Sequence, residues 1–258
     1  MHAQLRRDDG TTIAYDVAGD GPPVVFLHGL TSARGSWDPV TELLTAQLTC
    51  IRVDLRGHGA SSPAEDYALP AVIADVRAVV EEVAAGEPAV VGHSYGATVA
   101  ALYAAAYGAR AVVTVDGSLR FGDVAVLVAP HADALRSERT MEAVMAVERA
   151  LDLRGHPDLA AIQRRVLAFP REVVLGVWGP LLDRPPAELT ATAEAVLRHL
   201  RAPLLALHGP PPPADYASWL TGLVPSATVE VWDGAGHMLH LAEPERFAAR
   251  VRAFLAQA

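Results

Sequence analysis

The chain of 258 residues contains no lysine and only one cysteine. All 21 basic residues are arginines, which excludes a Schiff-base lysine, lysine-bound pyridoxal phosphate and the lysine of a Walker phosphate loop. Cys50 is the single cysteine, so an internal disulfide and a cysteine-based metal cluster are excluded as well. We expect Cys50 to serve as a small buried hydrophobic residue.

Long apolar runs and clusters of basic residues are scarce too. The longest apolar stretches, such as residues 97–107, are too short to span a membrane. The N-terminus carries Arg6, Arg7, Asp8 and Asp9 with no apolar stretch behind them, which is unlike a secretory signal, so we expect a cytoplasmic protein. A net charge of -9 without clustered arginines argues against nucleic acid and against anionic membranes as partners. The sequence leaves the oligomeric state open.

Segments typical of strands alternate with segments typical of helices. The length suits one domain of the α/β class, and the alternation predicts a mostly parallel sheet with helices on both faces. Predicted strands cover residues 3–7, 11–17, 23–28, 50–54, 89–93, 111–115, 203–208 and 228–232; predicted helices cover 37–48, 70–85, 95–107, a stretch from Asp215, and 244–256.

The alternation lapses between Asp116 and Arg201. This stretch predicts helices around residues 123–135, 138–151, 158–168 and 187–199, separated by prolines. Because it follows a sheet strand, we interpret it as a cap over the crevice in which open α/β sheets bind ligands. Its apolar residues are expected either to line an acyl pocket or to pack the cap onto the sheet; they include Phe121, Met141, Met145, Phe169 and Trp178.

Residues 92–96 read Gly-His-Ser-Tyr-Gly and lie between a predicted strand and an alanine-rich helix. Strand, sharp turn and helix in this order predict a nucleophile elbow with Ser94 at its tip. Small residues are needed beside such a turn, since side chains there would collide with the neighbouring strand and helix. The helix that starts there adds N–H groups and partial positive charge near the hydroxyl.

A serine hydroxyl is inert at its normal pKa, so Ser94 needs a base that a third group orients. Among ten histidines, His237 is the best candidate because it follows the last predicted strand in a glycine-rich loop at the sheet edge expected for Ser94. His28, His58 and His208 also end strands or lie in turns, where hydrogen bonding between loops is a simpler role.

Taken together, these motifs resemble the α/β-hydrolase superfamily over nearly the whole chain except the cap. The residues that carry the resemblance are His28-Gly29-Leu30, Trp37, residues 54–59 with Ser61, the elbow at 92–96, Gly236-His237, Glu243-Pro244 and Phe247. The resemblance implies an eight-stranded, mostly parallel sheet, with a core of residues 1–116 and 201–258 and a helical cap at 117–200.

The same resemblance implies roles for individual residues. Ser94 would be the nucleophile, His237 the general base, and the backbone N–H groups of Leu30 and Tyr95 the oxyanion hole. We place five residues at the substrate: His28, Phe121, Met145, Trp178 and Met238. The chemistry requires no metal or cofactor.

The acid is where the sequence departs from the family. An acidic residue usually follows the His-Gly after the seventh strand, but here His208-Gly209 precedes four prolines. Asp116, directly after the sixth strand, is the favoured replacement. Asp215 is the alternative, although as a helix N-cap it would already have a structural role. Asp233 lies too close to His237 in sequence and is interpreted as a turn residue.

The sequence therefore predicts a serine hydrolase that acts on a small or medium carboxylic ester, thioester or lactone through an acyl-enzyme. A serine at the nucleophile position argues against dehalogenase and epoxide hydrolase relatives, which use aspartate. Two alternatives stay open. One is a cofactor-free lyase or oxygenase that uses the same serine and histidine, and the other is a small-ligand binding protein that has kept the pocket.

Overall fold

The computed structural model of the protein describes residues 1–151 and 169–258. Eight strands form one sheet in the order β1-β2-β4-β3-β5-β6-β7-β8. β1 and β2 pair antiparallel with each other, β2 pairs antiparallel with β4, and all remaining pairs are parallel. The strands are β1 (His2–Arg6), β2 (Thr12–Ala18), β3 (Pro23–Leu27), β4 (Thr49–Val53), β5 (Ala89–His93), β6 (Val112–Val115), β7 (Leu204–His208) and β8 (Ala227–Val231). The predicted eight-stranded sheet of the α/β-hydrolase fold is confirmed.

Helices cover both faces of this sheet. They are α1 (Asp38–Thr41), α2 (Leu69–Val83), α3 (Tyr95–Tyr107), α4 (Phe121–Val128), α5 (Ala132–Leu135), α6 (Thr140–Ala150), α7 (Arg171–Leu182), α8 (Pro186–Leu197), α9 (Tyr216–Leu223), α10 (Leu239–Ala242) and α11 (Pro244–Leu255). The predicted helix at 37–48 is too long: α1 ends at Thr41 and turns follow it. None of the helices in the described part of the chain is long and apolar enough to cross a membrane.

Side chains of β3 point alternately to the two faces of the sheet and pack against the helices on each face. Val25 and Leu27 pack with α2 and α3 in one core cluster, whereas Val24 and Phe26 pack with α1 and α11 in another. Successive side chains of a strand point to opposite faces of a sheet. A central strand between two helical layers is therefore apolar along its whole length, and all five residues of β3 are buried.

Between β6 and β7 the described residues form the helices α4 to α8, which we call the inserted helices. The structure differs from the sequence-based prediction in two places here. The predicted helix at 123–135 is interrupted by a 3-10 turn at Ala129–His131, which contains Pro130. Helix α7 was not predicted, because Pro170 precedes it and Pro180 lies within it. The predicted helix at 158–168 lies outside the described residues, and the division into a core and a cap stays a prediction.

Candidate active site

Ser94 lies at the turn between β5 and α3 with φ 52° and ψ -117°, a conformation that few non-glycine residues adopt. Neighbouring glycines make this turn possible. A Cβ atom at Gly92 would collide with the carbonyl oxygen of Gly96, and one at Gly96 with that of Leu27. The strained serine at the start of a helix is the local geometry expected of a nucleophile elbow.

The strands β5, β6, β7 and β8 are adjacent and parallel, so the residues that follow them meet at one edge of the sheet. Asp116 follows β6 with φ 44°. One oxygen of its carboxylate, Oδ1, accepts a hydrogen bond from the backbone N–H of Gly209 at 3.0 Å. The other, Oδ2, lies 2.5 Å from Nδ1 of His237, in the loop after β8.

The surroundings of Asp116 keep it ionised. Burial alone would raise the pKa of this carboxyl, but the nearby ring of His208 and the hydrogen bond from His237 outweigh burial and lower the pKa below its ordinary value. His208 Nδ1 lies 3.7 Å from Oδ1, the carboxylate oxygen that does not contact His237. A carboxylate is the form that orients an imidazole by accepting its Nδ1–H.

Asp215 has a different partner. Its two carboxylate oxygens accept hydrogen bonds from both terminal nitrogens of Arg120, at 2.8 and 3.0 Å, and its side chain is 69% exposed. It occupies the N-cap position of α9 as expected, but its side chain makes no capping hydrogen bond. The structure thus brings Asp116, and not Asp215, to His237.

Ser94 and His237 line one cavity together with Asp116. Within the described residues no hydrogen bond joins Ser94 Oγ to the His237 ring. Such bonds between catalytic groups are often long or poorly aligned and tighten only when a substrate binds. The arrangement is therefore compatible with proton transfer between the two side chains.

His93, which precedes Ser94, supports the loop of His237. The His93 ring donates a hydrogen bond from Nε2 to the carbonyl oxygen of His237 at 3.1 Å, and the two ring centroids are 4.6 Å apart. Burial, followed by the neighbouring His237 and His240, lowers the pKa of His93, so its ring is neutral near pH 7. Sequence reasoning missed this role, because His93 occupies one of the two variable positions of the elbow and its partner is 144 positions away in sequence.

Two residues of the cavity wall have backbone N–H groups without a hydrogen-bond partner among the described residues. Leu30 and Tyr95 both belong to the cavity wall, and Tyr95 is the first residue of α3, where N–H groups have no partner within the helix. Neither N–H donates to any other group in the described part of the chain. Two uncommitted donors beside a serine are what stabilisation of a tetrahedral oxyanion requires.

The cavity has a volume of about 450 Å³ and lies between the sheet edge and the inserted helices. Phe121 and Trp178 line it, as the sequence predicted. Arg184 and Asp123 are charged residues on its wall, and Asp123 is paired with Arg120. The wall is otherwise mostly apolar. From α4 and α7 it includes Val124, Leu127 and Leu181, and from elsewhere Tyr67, Leu69 and Leu189.

Three residues that the sequence placed at the substrate lie elsewhere. His28 is buried, and its ring connects two loops by accepting from Leu55 N–H and donating to the carbonyl oxygen of Gly29. Met238 is a buried member of the cluster of the inserted helices, and Met145 packs against that cluster. Their contacts are already made within the fold, so none of the three belongs to the described cavity wall.

The sequence model of the alpha/beta hydrolase family matches residues 24–250. The chain belongs to this family. It is 30% identical to a 2-(acetamidomethylene)succinate hydrolase of Mesorhizobium japonicum, over 95% of this chain and 92% of the relative. It is 29% identical to a pimeloyl-[acyl-carrier protein] methyl ester esterase of Nitrosomonas europaea, over 92% and 97%.

A solved structure also resembles this hydrolase over nearly its whole length. A putative aryl esterase from Burkholderia cenocepacia superimposes with a TM-score of 0.77 at 25% identity, covering 100% of this chain and 98% of the other.

Proposed function

We propose that this hydrolase cleaves a small or medium-sized carboxylic ester, thioester or lactone through Ser94, His237 and Asp116. The observation that carries the proposal is the 2.5 Å contact between Asp116 Oδ2 and His237 Nδ1 on the wall of the cavity that contains Ser94. With Nδ1 donating to the carboxylate, Nε2 of His237 carries the lone pair that a general base needs.

The reaction would proceed in two halves. His237 Nε2 removes the proton of Ser94 Oγ while this oxygen attacks the carbonyl carbon, and the N–H groups of Leu30 and Tyr95 stabilise the oxyanion that forms. His237 then returns the proton to the leaving alkoxide or thiolate, which departs and leaves an acyl-serine. In the second half His237 deprotonates a water, which attacks the acyl carbon. His237 then returns this proton to Ser94 Oγ as the bond between Oγ and the acyl carbon breaks, and the carboxylic acid and free Ser94 are released.

The cavity restricts the acyl group that this chemistry would accept. Its wall is mostly apolar, and its volume of about 450 Å³ lies within the range of small-ligand pockets. Arg184 adds a cation to the wall. Its guanidinium donates a 3.1 Å hydrogen bond to Thr192 and lies 3.7 Å from the exposed carboxylate of Glu188. The two relatives are named for a succinate compound and a pimeloyl ester. Half-esters of dicarboxylic acids are therefore candidate substrates, since Arg184 would pair with their free carboxylate.

Replacing Ser94 with alanine tests the proposal. Wild-type protein should hydrolyse a panel of p-nitrophenyl esters, thioesters, lactones and half-esters, and a fluorophosphonate should label it once per chain. Ser94→Ala should lose both properties. Binding and the oxyanion hole alone would leave a rate at most about 10³- to 10⁴-fold above the uncatalysed reaction, which is a loss on the order of 10⁶-fold in kcat.

Ser118 provides a matched control, because it is another serine of the cavity wall. Ser118→Ala should be labelled by the fluorophosphonate at the wild-type rate. The proposal would be refuted if wild-type protein bound compounds of the panel but hydrolysed none of them and was not labelled by the fluorophosphonate. That result would point to a binding protein. Unchanged turnover in Ser94→Ala would reject Ser94 as the nucleophile.

A further inference from the structure

The turn after β3 adopts a conformation that its sequence disfavours. Ser32 N–H donates to the carbonyl oxygen of Gly29 at 3.1 Å, so Leu30 and Thr31 are the two central residues. Thr31 has φ 65°, a left-handed value that is unfavourable for a β-branched residue and that turns of this kind normally assign to glycine or asparagine. Contacts outside the turn must therefore stabilise it.

One such contact comes from the inserted helix α6. Thr31, which is 2% exposed, donates its hydroxyl to Oε1 of Glu148 at 2.5 Å, across 117 positions of sequence. The second carboxylate oxygen of Glu148, Oε2, is buried and has no hydrogen-bond partner among the described residues. Burying a carboxylate is costly unless it forms hydrogen bonds, so the bond to Thr31 is its principal compensation.

Glu148 contacts the turn and not the cavity. Val147 and Leu151, its neighbours along the chain, line the cavity, whereas Glu148 is not among the described residues of its wall. Leu30, which precedes Thr31, does belong to the wall. If Thr31 relaxed to a negative φ, the peptide that it shares with Leu30 would rotate and the turn of residues 29–32 would change shape. The Leu30 N–H lies on the preceding peptide of the same turn, so its position depends on that shape.

We propose that Glu148 is a positioning residue: by holding the Thr31 hydroxyl, it keeps the turn of residues 29–32 in the conformation that presents the Leu30 N–H to the substrate carbonyl. This inference rests on the proposed function. It also makes oxyanion stabilisation depend on the docking of α6 against the turn after β3.

Kinetics of four variants test this role. Glu148→Ala and Thr31→Val each remove the hydrogen bond, and each should lower kcat by about tenfold to a hundredfold, the effect expected of a small misplacement in an active site. KM should change little, because the oxyanion contact is stronger in the transition state than in the bound substrate. Glu148→Gln and Thr31→Ser keep an acceptor and a hydroxyl, and they should retain most of kcat.

Two further variants separate positioning from general destabilisation. The double variant T31V/E148A should be no slower than the slower of its single variants, because both remove one shared interaction. Glu142 is exposed on the same helix, so Glu142→Ala should behave like wild type. The inference would be overturned if the losses in kcat of the two single variants multiplied in the double variant. It would also be overturned if KM rose by the same factor by which kcat fell.

Amide hydrogen exchange gives a readout that does not depend on catalysis. The peptide that contains residues 29–32 should exchange faster in Glu148→Ala than in wild type or Glu142→Ala, since the turn has lost its restraint. Equal exchange rates in all three proteins would overturn the inference.

If Glu148→Ala fails to fold, the kinetics and exchange rates of Thr31→Val test the inference instead, because this variant removes the same hydrogen bond without altering α6. Wild-type protein that hydrolyses no ester would count against the proposed function alone, and the exchange rates would still decide whether Glu148 holds the turn.

Discussion

At the scale of single residues, the two candidate acids have opposite surroundings. The side chain of Asp116 is only 9% exposed and lies between two histidines, whereas Asp215 is largely exposed and pairs with Arg120. An exposed ion pair contributes little to stability or to a remote site. A buried carboxylate that accepts from an imidazole fixes the tautomer and orientation of that ring.

Substituting each aspartate with asparagine should therefore give unequal results. Asp116→Asn should lower kcat for the best ester of the panel by about 10³- to 10⁴-fold, because an amide can donate to Nδ1 and stabilise the wrong tautomer of His237. Asp215→Asn should leave kcat close to the wild-type value. Steady-state kinetics with circular dichroism on both proteins makes the comparison. A larger loss in Asp215→Asn would refute the assignment of Asp116.

Sequence patterns could identify Asp116 as a candidate but could not decide between it and Asp215. Both follow sheet strands, and the proline run after Gly209 removes the pattern by which the acid is usually found. The decision depends on which carboxylate the fold brings to His237, and Asp116, which it does bring there, is 121 positions from His237 in sequence. His93 and Glu148 were missed for the same reason, since each acts through a partner that only the tertiary structure brings close.

At the scale of elements, the loop after β7 and the loop after β8 pack closely against each other next to Asp116. A Cβ atom on Gly209, after β7, would collide with the carbonyl oxygen of Gly236, after β8. The N–H of Gly209 also donates to Asp116. The absence of a side chain at Gly209 therefore allows the loop that carries His237 to lie against the loop that supports its acid.

Gly209→Ala should separate these loops and weaken the contact between Asp116 and His237. We expect a loss of about 1–3 kcal/mol in the free energy of unfolding, as for other overpacked sites, together with a fall in kcat. Gly222→Ala is the control: Gly222 lies in α9, where a Cβ atom would meet open space, and alanine there should stabilise the helix by up to about 1 kcal/mol. Urea titrations of both variants test the prediction, and equal stabilities would contradict it.

Strands and inserted helices differ in how well the sequence predicts them. The strand β5 and the helix α3 have the predicted bounds, because apolar runs of five residues and an alanine-rich stretch are strong local signals. Helix α7 was missed because Pro180 lies inside it, and proline normally ends a helix. Packing against Tyr67 through Gly176 and burial of Val173 and Val174 favour the helix over its local preference.

At the scale of the whole molecule, folding buries histidines that would be charged in an unfolded chain at mildly acidic pH. Burial, followed by the nearby His28, lowers the pKa of His58 from 6.5 to about 3. Burial likewise lowers the pKa of His93. Because the unfolded chain binds these protons and the folded chain does not, the stability that they contribute is complete above pH 6.5 and is lost as the pH falls below that value.

His58→Gln should make the stability of the protein less sensitive to acid. Between about pH 6.5 and 4.5, wild-type protein should lose about 1.4 kcal/mol of unfolding free energy per pH unit more than the variant, the linkage expected for one proton that only the unfolded chain binds. Urea denaturation at several pH values measures both slopes. His199, which is exposed, supplies the control, since His199→Gln should keep the wild-type slope. If His58→Gln also kept that slope, His58 would be titrating in the folded protein, and acid sensitivity would have to arise from other buried groups.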